Sequence, residues 1–323
     1  MIMRATHAMR RVLGIGATLR IGAALRTGTA RSAAAAATFR AVSVLALGAL
    51  ALNGCAHAPL SETGNLAWQQ PPAANTTTVG LWRFDETTGL EFTDSGSTRR
   101  DGILGIDTRT EFGRFHNARA FTPSLNSFAM VPAARAPQLG DSWTIEAWIR
   151  PTVYGPVECN TIAGEWTSLP EEQSWMLGLT GFNRTVIPEA PARPDWFDNA
   201  IRRRGVGLLV FVLQPREASD VLAFESTQPI ELNRWTHIAV TQDHQELRMV
   251  IDGRLDAQYA TGARVRPSAT PLVIGNLIDA RWLTSSQGAP RVPSDSQEFP
   301  FYAFEGVIDE LRISDMALST GAH

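Results

Sequence analysis

From residue 79 onward the apolar residues fall in short runs, and no stretch of ten or more carries a helical stripe. The runs are 79–84 (VGLWRF), 127–131 (SFAMV), 142–150 (SWTIEAWIR), 206–213 (VGLLVFVL), 235–242 (WTHIAVTQ), 246–252 (ELRMVID), 271–275 (PLVIG) and 304–313 (FEGVIDELRI). Gly, Pro, Asn and Asp separate them, the pattern of many short strands joined by turns. In 142–150, Trp143, Ile145, Ala147 and Ile149 fall on one face, with Thr144, Glu146, Trp148 and Arg150 on the other. A period of two with one apolar face is a half-buried strand. Asp252-Gly253 closes one strand as a hairpin turn does. The pattern predicts an all-β sandwich or barrel from residue 79 onward.

The first part of the chain follows another logic. Residues 1–55 hold seven Arg and no acid, and 41–53 (AVSVLALGALALN) form an uncharged, largely apolar run. That run is shorter than the ~20 residues a bilayer crossing needs. It suits the apolar centre of a signal peptide behind a positive leader. Leu52-Asn53-Gly54-Cys55 then resembles the bacterial lipobox, which implies cleavage after Gly54 and acyl chains on Cys55. Ala56 beside the Cys fits outer-membrane sorting. The plain alternative is a secretory signal in which Cys55 is incidental. Arg10-Arg11 is poorly continued as a twin-arginine signal by Val12-Leu13, and a start codon set too far upstream explains the long leader more simply. Residues 1–54 are thus expected to be a signal peptide. The stretch 55–78, rich in Ala, Pro, Thr and Asn and without period, is expected to be a flexible tether.

Trp143–Pro151 resembles the first inner strand of laminin-G-like (concanavalin-A-like) jelly rolls. Trp235–Thr241 followed by Leu247, Ile251, Asp252 and Gly253 is similar to their central hairpin. Leu272–Asn276, Phe304–Ile313, and the opening Leu81–Glu86 with Asp94-Ser95-Gly96 fit the remaining segments. The resemblance spans 79–318, leaving 319–323 as a tail, and implies an all-β, two-sheet antiparallel jelly-roll sandwich with a concave and a convex face. The chain is long for this family, and the excess lies in 154–173, 182–204 and 281–303. These stretches hold Trp166, Trp196, Phe197, Trp282, Phe299, Phe301 and Tyr302.

Three constellations are candidates for chemistry. In 307–313 the alternation sets Asp309 with Val307, Leu311 and Ile313, facing the core if no bulge intervenes. A buried carboxylate is costly unless it is paired. Capped backbone N–H groups, an Arg or a calcium ion would each answer that. The resemblance implies a structural calcium where first and last strands meet, with Asp85 as second ligand. Glu146 and Trp148 share a face near His237 and Arg248, where acid–base work is conceivable. Yet the dense carboxylate motifs of the superfamily's glycosidases are absent, so Trp148 and Trp235 read as packing. The loop aromatics, above all Trp196 and Trp282, offer rings for stacking on sugars. Folding back over the sandwich edges is the alternative for them.

Charge and cysteine narrow the picture further. Past residue 55 the chain has 22 Arg, no Lys, and 32 acids. An acidic body excludes a nucleic-acid partner, which needs a basic face. With Cys55 lipidated, Cys159 has no disulfide partner and reads as a small buried apolar group. No phosphate loop, zinc spacing or nucleophile elbow is present. The expected function is a membrane-anchored, non-catalytic module that binds a carbohydrate or surface protein in the bacterial envelope. A polysaccharide-active enzyme and an adhesion component without a small ligand are the alternatives.

Overall fold

The computed structural model describes residues 66–155, 159–167, 169–181, 206–278, 284–286, 289–291 and 302–318. Two antiparallel sheets dominate. The first runs in spatial order through β14 (Arg254–Ala260), β13 (Glu246–Ile251), β12 (Thr236–Gln242), β7 (Trp143–Pro151), β18 (Gly306–Ser314), β5 (Asn117–Phe121) and β4 (Arg109–Phe112). Strand β1 (Thr78–Trp82) also pairs with β18. The second sheet runs through β11 (Leu222–Pro229), β10 (Leu208–Leu213), β9 (Trp175–Leu179), β8 (Asn160–Glu165), β15 (Leu272–Ile274), β6 (Ala129–Val131), β3 (Gly102–Leu104) and β2 (Glu91–Phe92). A separate hairpin joins β16 (Thr284–Ser286) to β17 (Ala289–Arg291).

The alternation in 142–150 places its residues as expected. Trp143, Ile145, Ala147 and Ile149 meet Leu209, Phe211, Leu213, Trp175 and Leu177 of the second sheet in one core. Trp143 packs on Phe211 with ring centroids 5.0 Å apart, and Trp175 lies 6.2 Å from the same ring. Burial of such rings is the main drive for closing the two sheets. At one sheet edge the Asp94 carboxylate accepts from the amides of Leu81, Gly96 and Arg100 and from the Thr98 hydroxyl. Burial pushes that carboxyl up, but these four donors outweigh it and hold it below its ordinary range.

Several expectations need correction. The stretch 154–173 is not simply an inserted loop, since it contains β8 in the middle of the second sheet. Asn160–Glu165 is buried along its whole length and bulged between Thr161 and Ala163, so it shows no alternation. Trp166 is buried with Cys159, Met176, Val210 and Val212 on the outer side of that sheet. Strand β9 was not among the runs read as strands, because both its faces are covered and no period of two can appear. The end of the expected tether is also docked: Leu66–Gln69 form a 3-10 turn, and Thr78 begins β1.

Strand β18 explains the placement of Asp309. It pairs with β7 along one side, while its other side is shared between β5 at Gly306–Ile308 and β1 at Leu311–Ser314. Between these partners the register against β7 slips from Asp309 to Arg312, and Glu310 takes a left-handed backbone with φ of 52°. The extra residue reverses the alternation, as a bulge must. Ile308, Leu311 and Ile313 face the core, whereas Val307 packs outside it with Ala118, Ala120 and Trp235. Asp309 therefore lies on the outer face of the first sheet, opposite Trp148, and not on the core side.

Gly275, directly after β15, has φ of +78°, and a Cβ there would lie 2.1 Å from the Phe121 ring. Gly275→Ala should cost ~1–3 kcal/mol through overpacking alone. At Gly140 a Cβ meets nothing within 4 Å, so Gly140→Ala should stay within ~0.5 kcal/mol of wild type. Denaturant unfolding of both variants checks the pair.

Candidate functional site

The outer face of the first sheet gathers aromatic and charged groups from three adjacent strands. On β7, Trp148 lies opposite His237 of β12 and Asp309 of β18, and Glu146 lies opposite Arg312. Cross-strand neighbours of this kind have side chains within reach of one another. The Glu146 carboxylate accepts from Arg312 Nε at 2.6 Å on one oxygen and meets His237 Nε2 at 3.2 Å on the other. Burial pushes this carboxyl up, but the hydrogen bonds and charges of His237 and Arg312 outweigh it and hold it below its ordinary range. Arg248 does not join this group and reaches Asp243 instead.

Trp148 is only 3% exposed, yet it lies outside the inter-sheet core. Its cover is local. The indole of Trp68 stacks on it at 5.7 Å and 27°, and the Phe115 ring meets it edge-on at 5.9 Å. The Arg114 guanidinium sits 4.8 Å from its ring centre, within cation–π range. His237 is 5.6 Å from Trp148 and 6.2 Å from Trp68. A cavity of about 80 Å³ remains among Trp68, Trp148, His237, Glu146, Glu310 and Arg312. Trp148 Nε1 and His237 Nδ1, on two of the residues that line it, are buried without a hydrogen-bond partner. Glu310 spends both carboxylate oxygens on Arg83 Nη1, at 2.9 and 2.8 Å. Its carboxyl is nonetheless pushed up by burial, against the pull of Arg83.

Asp85 and Asp309 are brought close enough for their charges to interact, at the turn between β4 and β5. Asp309 Oδ2 accepts from the Phe115 amide at 2.9 Å, and Asp85 Oδ1 accepts from the Asn117 amide at 3.1 Å. Asp309 Oδ1 is buried with no partner. Burial raises the Asp309 carboxyl to about 7; the charges of Glu310 and Asp85 add to that, against the amides of Phe115 and Arg114. Two carboxylates and an orphan buried oxygen suit the hard-oxygen donor set of calcium. Among the described residues no group of three or more His, Cys, Asp and Glu side chains is placed to hold a metal. Carbonyl oxygens and water would have to complete the shell. The same turn aligns Phe115 and Arg114 against Trp148, so anything that orders it also shapes the aromatic face.

Trp196 and Trp282 lie outside the described residues, as does Cys55. Trp235 packs under the Arg150 guanidinium, 5.5 Å from the ring centre, as a covered ring. Trp68, Arg114 and Phe115 were missed by sequence reading; Glu310 entered it only as part of a strand motif, and so did Arg312. Its pairing with Glu146 follows from the strand register once the bulge is known.

A family model described as the concanavalin A-like lectin/glucanases superfamily matches residues 126–321, more than half of the chain. No curated protein matches. Among solved structures, the binding domain of Paraclostridial Mosquitocidal Protein 1 superposes with a TM-score of 0.52 at 13% identity, over 76% of this chain and 50% of that one. The binding domain of botulinum neurotoxin serotype G gives a TM-score of 0.49 at 13% identity, over 76% and 49%. Domain 4 of AbnA, a GH43 extracellular arabinanase from Geobacillus stearothermophilus solved with arabinotriose, gives 0.46 at 17% identity, over 76% and 96%. The chain spans about half the length of the toxin domains. At such identities the likeness is one of fold.

The Asp309 carboxyl sets a pH dependence whose sign can be worked out. Its folded value of about 7 lies above the unfolded ~3.9, so the folded state binds the extra proton between the two. Its contribution to stability is therefore greatest below ~pH 4 and falls as pH rises toward ~7. Without metal, the melting-temperature difference between wild type and Asp309→Asn should shift against wild type from pH 5 to 7.5. Calcium should restore wild type at pH 7.5 and leave Asp309→Asn less affected. Superimposable wild-type melts with chelator and with calcium would remove calcium from the account.

Proposed function

The chain belongs to the concanavalin-A-like lectin/glucanase superfamily, and on that premise we propose that it is a non-catalytic module that binds a carbohydrate in the bacterial envelope. The observation that carries this reading is the face around Trp148. Beneath the cover of Trp68 it combines packed aromatic rings with Trp148 Nε1 and His237 Nδ1, two buried ring nitrogens that lack partners. Binding sites for small ligands pair apolar walls with a few such polar atoms. A sugar brings a flat apolar face for the ring and hydroxyls for the nitrogens. A surface protein presenting the same chemistry would serve as the alternative partner.

Three further features belong to the proposal. Cys55 carries the lipid that anchors the module, at the outer membrane by the sorting logic of Ala56. Calcium at Asp85 and Asp309 orders the turn that bears Arg114 and Phe115. Trp196 and Trp282 extend recognition beyond the sheet face as loop anchors.

A polysaccharide hydrolase is a second reading, favoured by one observation. Glu146 and Glu310 line the same cavity, and their carboxyls are displaced in opposite directions. Divergent carboxyls are how acid and base roles are divided. Against it, both Glu146 oxygens and both Glu310 oxygens are already engaged by His237, Arg312 and Arg83. A general acid must reach the leaving oxygen, and a nucleophile needs a free lone pair.

A glycan array with the purified protein tests the first reading, followed by titration of any hit. Trp148→Ala should weaken binding by ~1–3 kcal/mol, the range for loss of a stacked ring. Trp196→Ala and Trp282→Ala should weaken it by less than that and leave folding unchanged. Hydrolysis of a polysaccharide that Glu310→Gln abolishes would favour the enzyme. For the anchor, Cys55→Ser should move the protein from the detergent phase to a soluble or uncleaved form, and unchanged partitioning would remove the lipid from the account.

A further inference from the structure

We propose that Trp148, His237 and Gly253 form a seat for the flat face of a pyranose ring, and that in the free protein the chain's own Trp68 fills it, making residues 66–73 a displaceable strap. The inference rests on the reading of the chain as a glycan-binding module and names where the ring sits and what competes with it.

The seat is built for a flat ring. Trp68 lies nearly parallel to Trp148, at 27°, with His237 tilted beside both. The floor comes from the turn between β13 and β14. Gly253 has φ of +72°, and a Cβ there would lie 2.4 Å from Trp68 Cδ1 and 2.5 Å from its Nε1. Any side chain at that position would evict the indole. Glycine at a close approach of this sort leaves room for what lies on top.

The strap is held by contacts that a ligand can replace. Residues 71–75 belong to no strand. Arg83 Nη2 donates to the Pro72 carbonyl at 2.9 Å, and Arg312 Nη1 donates to the Ala73 carbonyl at 3.0 Å. Both arginines keep their carboxylate partners, Glu310 and Glu146, when those carbonyls leave. Their freed N–H groups then face outward as donors for hydroxyls. Asn75 ends the strap: its side chain accepts from the Thr77 amide at 2.9 Å and sets the turn into β1. The sheet therefore keeps its first strand when the strap lifts.

Trp68 also fits the seat incompletely. The cavity of about 80 Å³ beside it has room for water. His237 Nδ1 and Trp148 Nε1, on residues that line it, stay without partners while the strap is closed. A hydroxylated ring stacks as the indole does and offers oxygen atoms to both nitrogens. A strap closed roughly nine-tenths of the time lowers the apparent affinity about tenfold, in proportion to the open fraction.

The test uses the full chain in detergent, with two probes. One is a panel of pyranose oligosaccharides titrated by calorimetry; the other is free indole, followed by tryptophan fluorescence. Trp68→Ala should bind oligosaccharide about tenfold more tightly than wild type, with Trp68→Phe between them. It should also bind indole where wild type does not. Equal oligosaccharide affinity in wild type and Trp68→Ala overturns the strap while leaving glycan binding intact at another place. Indole binding without oligosaccharide binding in either protein keeps the seat and overturns its pyranose ligand together with the glycan reading. Binding of neither probe overturns the seat itself. Amide exchange on wild type guards against a variant that fails to fold. Saturating oligosaccharide should speed exchange at 66–70, and unchanged or slower exchange there overturns displacement.

Discussion

Strand β18 has to serve three partners, and one straight ladder cannot do it. Its first third pairs with β5 and its last third with β1, while β7 runs along the whole opposite side. The extra residue at Glu310 absorbs the change of partner by a left-handed turn of the backbone. One slip of register sends every following side chain to the other face. That slip keeps Leu311 and Ile313 in the core while Asp309 and Arg312 stay on the outer face. Without it, either the core would receive a carboxylate or the outer face would lose the partner of Glu146.

The ionic groups on that face serve arrangement more than stability. Taking Glu146, Arg312 and His237 out of water is costly, and a well-packed apolar set of the same volume is often as stable. What the charges supply is definition. Arg312 is fixed by Glu146 on one side and the Ala73 carbonyl on the other, and Arg83 by Glu310 and the Pro72 carbonyl. Both guanidiniums are thereby aimed at one line of backbone across the sheet. The ring of Trp148 is confined in the same way by Arg114 and Phe115, whose turn hangs from Asp309. A chain of pairwise contacts thus links the bulge to the aromatic surface through the turn between β4 and β5.

The sequence displays the parts of this arrangement that obey a period and hides those that break one. The alternation of Trp143–Ile149 was legible because that strand has one core face and one outer face, while the jelly roll came from the likeness of several such segments to one family. Strands β8 and β9 were not, because burial on both sides leaves no alternation to see. Asp309 was recognised as a buried acid, which it is, but its face was read on the condition that no bulge intervenes, and a bulge leaves no mark in composition. Trp68 carried no signal at all. It stands in a segment rich in Pro and Ala whose docking depends on a glycine almost two hundred residues later in the chain. Trp196 and Trp282 fall outside the described residues, so the loops they occupy neither support nor oppose the ring seat.

A sheet face and a loop make different kinds of binding surface. On the sheet, Glu146, Trp148, His237 and Arg312 are spaced by strand geometry and held by cross-strand hydrogen bonds, so their positions are set before any ligand arrives. Preorganisation of that kind lowers the entropy lost on binding. Left uncovered, the sheet face would also present an indole face and ring nitrogens that water serves poorly, and an uncovered aromatic patch invites association with other chains. A short segment of the same chain that carries one ring answers both demands, covering the patch while it is idle without joining the sheet. That segment is attached by the stacking of Trp68 and by arginine bonds to the Pro72 and Ala73 carbonyls rather than by a ladder, which is what separates a cover from a ninth strand.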